Sequence, residues 1–360
     1  MEIKQKNQSE NPIENYSQKI FLLGSVLVSF GILQVTVGGS WDITNHLLNK
    51  PETFFSTPHA VMYSGVAISL IGVAISFFGY RNLQNFKNIF SLPLRIKFLG
   101  ITLLIGAGPF DFIWHLNFGL DGLLSPPHLT LITGMLFCSM GGMFGISRFL
   151  KLKSSNIALS PYLLILGILP VWLAGSGIIS SLSLPFSNTD YFQLNPDPLM
   201  AFIVATTLYP FLISFCSLTA SRISNFKPGI VTILGGLFLL IYGLTAISPN
   251  FSLLEAALFY SLNLIPFVIS DLILSFGKSK RFSLCAGGIL GSVFYMVYFP
   301  YVMYTYNEVL LGKLVSPSMI LHTYFEILPQ VLQLTIIPAI IMGIVGVFAA
   351  NKFSSKILMK

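Results

Sequence analysis

The sequence predicts an all-α fold, a polytopic transmembrane helix bundle of about ten spans, and three observations lead there. Hydrophobic residues make up 54% of the 360 and charged residues only 9%, with 32 Phe and a mean hydropathy of +0.79. Such a composition belongs in lipid rather than water. Apolar runs of bilayer-spanning length, roughly 17–25 residues, lie at 20–41, 58–80, 97–117, 127–149, 160–182, 198–221, 229–247, 253–276, 283–306 and 318–349. With the N-terminus inside, the cytoplasmic segments between these runs hold 18 of the 20 Lys and Arg, leaving only Lys50 and Lys313 outside. That is the asymmetry the positive-inside rule demands, and a miscount by one helix would scramble it.

The chain opens with a polar segment, 1–18, carrying Glu2, Lys4, Lys6, Glu10 and Glu14. It lacks the short apolar run and small-residue cleavage site of a secretory signal and reads as a cytoplasmic tail. Residues 19–360 form one transmembrane domain, expected in the plasma membrane with both termini cytoplasmic. The connections at 184–196 and 307–317 are too short to be folded domains. The formal charge of +7 is spread over six cytoplasmic segments and makes no basic stripe for a nucleic acid. No Walker loop or dinucleotide fingerprint is present, so neither nucleic acid nor nucleotide is an expected partner; the lipid bilayer is, together with other membrane subunits. Cys138, Cys216 and Cys285 each fall inside a span without a CxxC pair and read as packing residues.

Spans one to four contain an internal repeat. SWDITNHLLNKPETFFSTPH (40–59) and PFDFIWHLNFGLDGLLSPPH (109–128) align without a gap at an offset of 69, which makes 20–80 and 89–149 two copies of one hairpin, followed by the remaining spans over 160–349. Both copies carry an aromatic residue (Trp41, Phe110), Asp (Asp42, Asp111), His (His46, His115), Ser-x-Pro (Ser56 and Pro58, Ser125 and Pro127) and His (His59, His128). Asp and His four residues apart project from one helix face, and the second His opens the next helix just after a Pro suited to a first turn. Each hairpin can therefore converge one carboxylate and two imidazoles on a point, a donor set suited to a divalent or cupric ion with an open position. The topology puts both triads at the extracytoplasmic ends of their helices. A single copy would read as histidines satisfied by water at the membrane interface; recurrence of the same three types at the same spacing favours a metal site.

Asp, His at +4 and His at +17, with a Ser-Pro element before the last His, resembles the copper-site segment found in one membrane subunit of the copper membrane monooxygenases, the particulate methane and ammonia monooxygenases. That segment reads approximately D-x-x-W/Y-H, then R-D-T, then T-P-S-H. Here the second copy keeps Trp114 before His115 and has Leu120-Asp121-Gly122 at the middle element, while the first has Asn45 and Pro51-Glu52-Thr53. The acidic position persists in both copies and the arginine in neither, and the family's subunit carries the segment once. The resemblance implies copper ligands at Asp42, His46 and His59 and at Asp111, His115 and His128, oxygen-dependent oxidation or an accessory role in such a complex, and partner subunits. Two alternatives stand beside it: a metal or proton-coupled transporter handling copper, and a zinc-dependent intramembrane hydrolase, with zinc replacing copper.

The later spans add less. His322 and Glu326 are again four apart, and with Glu308 they form a candidate auxiliary ligand set or proton path. Asp271, inside span eight, is expected to reach Lys278 and Lys280. Met135, Cys138, Met140 and Met143 offer soft donors for Cu(I), though adaptable packing accounts for them. Tyr295, Tyr298 and the aromatics after them read as interfacial belt and helix packing.

Overall fold

A computed structural model describes residues 12–47, 50, 53–119, 123–153, 160–183, 194–298, 326 and 328–358. These residues form a bundle of apolar helices without a strand among them: α1 Pro12–Leu47, α2 Thr57–Arg81, α3 Lys87–Phe118, α4 Pro126–Leu152, α5 Ser160–Ser183, α6 Pro198–Ile223 and α7 Ile230–Ile247. After these come the short α8 Ala257–Ser261, α9 Ile265–Phe276, α10 Lys280–Ile289 and α11 Leu328–Leu358. Nine of the described helices are long and apolar enough to cross a membrane. The chain is a multi-pass membrane protein.

Helix α1 is described from Pro12, so residues 12–18 of the segment expected as a polar tail are helical. Its Glu14 is buried and accepts hydrogen bonds from the backbone N–H groups of Gln84 and Asn85, at 3.1 and 2.7 Å, in the turn between α2 and α3. Span eight departs most from expectation. Instead of one helix over 253–276 the chain runs through 3-10 turns at Phe251–Ala256 and Leu262–Leu264 with α8 between them, and Leu262–Phe276 is its longest apolar piece. Pro266, in the first turn of α9, has no N–H to continue a helix from the preceding turn. The helix starting at Lys280 passes through a π-helical turn, Leu290–Phe294, and is described to Tyr298; of the expected last span, 318–349, the described residues from 328 onward lie in α11, whose apolar stretch is Leu332–Ser355.

Glycine decides which helices touch. Lipid tails are as apolar as leucine, so helices associate where small residues let backbones approach. On α1, a Cβ at Gly24 or Gly31 would stand 2.5 or 2.6 Å from the carbonyl oxygen of Gly72 or Gly65 on α2. The two seams share a seven-residue spacing, which keeps one face of each helix against its partner. The second hairpin repeats the device at Gly100 and Gly134, the positions 69 residues beyond Gly31 and Gly65. Gly142 and Gly145 of α4 then seat on Ser29 and Ser25 of α1, joining the two hairpins into one four-helix unit.

Lys97 sits in this unit with no exposed surface, its ammonium donating to Ser25 Oγ at 2.6 Å and Ser76 Oγ at 2.9 Å and lying 4.3 Å from the centre of the Phe21 ring. The sequence placed it among the cytoplasmic loop cations. Asp271 likewise differs: its Oδ2 accepts from Thr232 N–H at 3.0 Å and Thr232 Oγ1 at 2.8 Å, in the first turn of α7, while Lys278 donates to Asn225 and Lys280 lies over Phe348. The carboxylate finds donors nearer than the lysines and caps a helix across the bundle. The remaining helices share a core in which Trp172 stacks on Phe238 at 4.3 Å. Tyr295 and Tyr298 are buried there rather than at an interface.

Candidate metal centre

The four helices of the repeat deliver the polar residues to one end of the bundle. Asp42 and His46 lie in the last turns of α1, and His59 in the first turn of α2. Asp111 and His115 lie near the end of α3, and His128 in the first turn of α4. Pro58 and Pro127 occupy the first turns of α2 and α4, where a missing N–H costs nothing.

In the first hairpin, His46 Nε2 lies 3.4 Å from Asp42 Oδ2 and His59 Nε2 lies 3.1 Å from Asp42 Oδ1. In the second, His115 and His128 bring their Nε2 atoms to 3.4 and 3.3 Å from the single oxygen Asp111 Oδ1. Charge-assisted N–H···O⁻ bonds are typically about 2.7–2.9 Å long. Two donors each about 2.0–2.1 Å from a tetrahedral ion stand about 3.3 Å apart, which is the separation seen four times here. Each triad's ligand atoms lie within 4.8 Å of one another. The six residues thus form two three-donor groups rather than one shared set.

Two imidazoles are oriented from behind. His115 Nδ1 is 2.9 Å from the carbonyl oxygen of Gly119, and His59 Nδ1 is 3.1 Å from that of Thr53. A carbonyl only accepts, so in each ring Nδ1 carries the hydrogen and, in the neutral ring, Nε2 turns its lone pair on the carboxylate. Lone pairs on nitrogen and oxygen facing each other at this range repel unless a cation or a proton lies between them. Gly119 reaches its position with φ +71°, a conformation that favours glycine.

The groups adjoin. The ring of His46 is 5.9 Å from that of His115 and 6.4 Å from that of His128, centre to centre. Beside them lies a cavity of about 110 Å³ whose lining includes Asp42 and His46 from one triad and His128 from the other. Met62, Ile132 and Met135 supply apolar wall, and α5 and α7 close it with Ala174, Gly177, Ser180 and Tyr242. The six ligand candidates were legible in the sequence and this wall was not, because nothing in α5 or α7 repeats or carries charge. Of the soft donors considered for Cu(I), Met135 faces the cavity; Cys138 Sγ instead contacts the carbonyl oxygen of Lys97 at 3.7 Å. His322 and Glu308 lie outside the described residues, as do Glu52 and Asp121; Glu326 is exposed.

No family model, no curated protein and no solved structure matches this chain.

Proposed function

We propose that this chain is an integral membrane copper protein in which each Asp-His-His triad holds one ion, and that it serves oxygen-dependent oxidation, itself or within a complex resembling the copper membrane monooxygenases. The observation that carries this reading is the convergence of one carboxylate and two imidazole Nε2 atoms at 3.1–3.4 Å, twice. Three donors leave a fourth position open, as catalytic rather than structural sites do. Copper is chosen over zinc on the strength of the resemblance, together with Met62 and Met135 in the adjoining wall. The Lys and Arg distribution supports cytoplasmic termini, with the broken segment 251–276 returning the chain to the inner side and both triads facing outward in the plasma membrane.

In this reading the bound copper supplies the redox chemistry with dioxygen, and electrons come from a partner. The chain's own residues have other tasks. Asp42 and Asp111 offset the ions' charge, the carbonyl oxygens of Thr53 and Gly119 keep two imidazoles in the ligating tautomer, and the glycine seams fix the distance between the helices that carry the donors. Metal transport is the weaker reading, because both triads sit at one end of the bundle and the buried ammonium of Lys97 lies between the same helices further in.

The test is metal analysis of purified protein after loading with copper or zinc. The proposal expects two equivalents of copper per chain, their loss in His59→Ala/His128→Ala, and loss of one equivalent in His46→Ala or in His115→Ala. Absence of metal from the wild type would return these histidines to proton exchange with Asp42 and Asp111.

A further inference from the structure

We infer that the two triads are halves of one binuclear centre and that the cavity on their shared face takes a small anion bridging the two ions. The inference rests on the proposal that each triad holds a metal, and goes beyond it in coupling the sites and naming a ligand class.

His46 of one triad packs against His115 and His128 of the other with ring centres 5.9 and 6.4 Å apart. An ion lies roughly 3 Å beyond a ring centre, given metal–nitrogen bonds of about 2 Å. Even with the rings pointing directly apart the ions would be no more than about 12 Å from each other, and the cavity lining argues for less. Asp42, His46 and His128 line one void, so a molecule inside it lies beside candidate ligands of both triads.

Charge supplies the ligand class. Two divalent ions bring four positive charges, Asp42 and Asp111 return two negative ones, and neutral imidazoles add none. Among the described residues lining the cavity, Asp42 is the only acidic side chain. A surplus of two positive charges against a largely apolar wall is costly in a low-dielectric setting. A monoanion seated between the ions reduces it while filling the open position on each. The wall also includes the hydroxyl-bearing residues Ser40, Ser180 and Tyr242, so it is not wholly apolar; Ser40 Oγ itself lies 2.8 Å from Thr245 Oγ1. A void of about 110 Å³ admits a ligand of a few atoms.

Azide is the probe, added to protein carrying two Cu(II) per chain and followed by electron paramagnetic resonance and by absorption. The expected results are a spectrum showing interaction between two copper spins, and saturation at one azide per chain. His115→Ala, left with one copper, should give a single uncoupled spin and bind azide about tenfold more weakly or worse. A cavity variant separates ligand entry from metal loading. A Cβ at Gly177 would meet Ile132 Cγ2 at an ordinary 3.5 Å, so the backbone accepts a side chain, and both residues line the void, whose space a larger side chain there would take up. Gly177→Ala and Gly177→Leu should keep both coppers while azide affinity falls stepwise, by about tenfold or more for Leu. Two non-interacting spins, two azides per chain, or unchanged azide affinity in Gly177→Leu would each overturn the binuclear reading while leaving the copper sites standing. Protein that takes up no copper would overturn both.

Discussion

Replacing Gly31 by Ala tests whether the candidate metal ligands are held by glycine contact between α1 and α2. The added Cβ would stand 2.6 Å from the carbonyl oxygen of Gly65 and 2.8 Å from the backbone nitrogen of Ser69. Both are backbone atoms in a helix and cannot turn aside. Restoring ordinary contact requires the helices to part by about 0.8 Å, and overpacking of this kind costs about 1–3 kcal/mol. Gly106 provides the control, because a Cβ there meets nothing within 4 Å. At that position Ala should stabilise by about 0.4–1 kcal/mol, through reduced freedom of the unfolded chain and better helix propensity. The two variants should therefore differ by about 1.4–4 kcal/mol and melt several degrees apart. With the exposed Cys285 replaced by Ser in both variants, the buried thiols of Cys138 and Cys216 supply the assay, since a thiol-reactive dye then reports their exposure on heating in detergent. If Asp42 and His59 ligate copper as proposed, the same displacement should weaken its retention, because the two residues, 3.1 Å apart, are carried by the two separating helices. Equal melting of Gly31→Ala and Gly106→Ala would refute the claim that backbone contact at glycine sets this interface.

Three further outcomes follow from the same structure. Lys97→Met should be neutral or stabilising by up to a few kcal/mol, as seen when buried charged groups give way to apolar ones of similar volume, because Ser25 and Ser76 still donate to the carbonyl oxygens of Phe21 and Gly72; a melting temperature lowered by several degrees would assign the ammonium a task. Asp271→Leu strands the N–H and hydroxyl of Thr232 and should cost about 1–3 kcal/mol, whereas Lys278→Met should leave thermal stability nearly unchanged; the reverse order would mean that the carboxylate serves the lysines. If the triads hold copper, metal content of protein equilibrated at limiting free copper should fall as pH drops from about 7 to about 5, the range in which a free imidazole takes up its proton, since protons compete with the ion for the ligand nitrogens; copper content flat across that range would count against histidine ligation.

What could be read before folding was local. Spans declare themselves because lipid acts on hydropathy along a short stretch, and the apolar runs at 58–80, 127–149 and 160–182 match α2, α4 and α5 closely. The segment 253–276 was as apolar as its neighbours, yet it breaks into short turns, because hydropathy reports depth in the membrane and not backbone continuity. The six ligand candidates were legible for the same local reason: Asp and His four apart share a helix face, and a tight hairpin can only bring His59 or His128 back beside them.

The amino-acid sequence alone thus determined that the chain lives in a membrane, that its first four helices are a duplicated hairpin, and that each copy gathers one carboxylate and two imidazoles. Only tertiary structure decided that the two groups lie side by side, that Ala174, Gly177 and Tyr242 wall a cavity against them, and that Lys97 is sealed among serines. The reason is physical. Among helices whose surfaces are all apolar, hydrophobicity does not select partners; contact depends on where small side chains such as Gly142 and Gly145 meet Ser29 and Ser25 across helices distant in sequence.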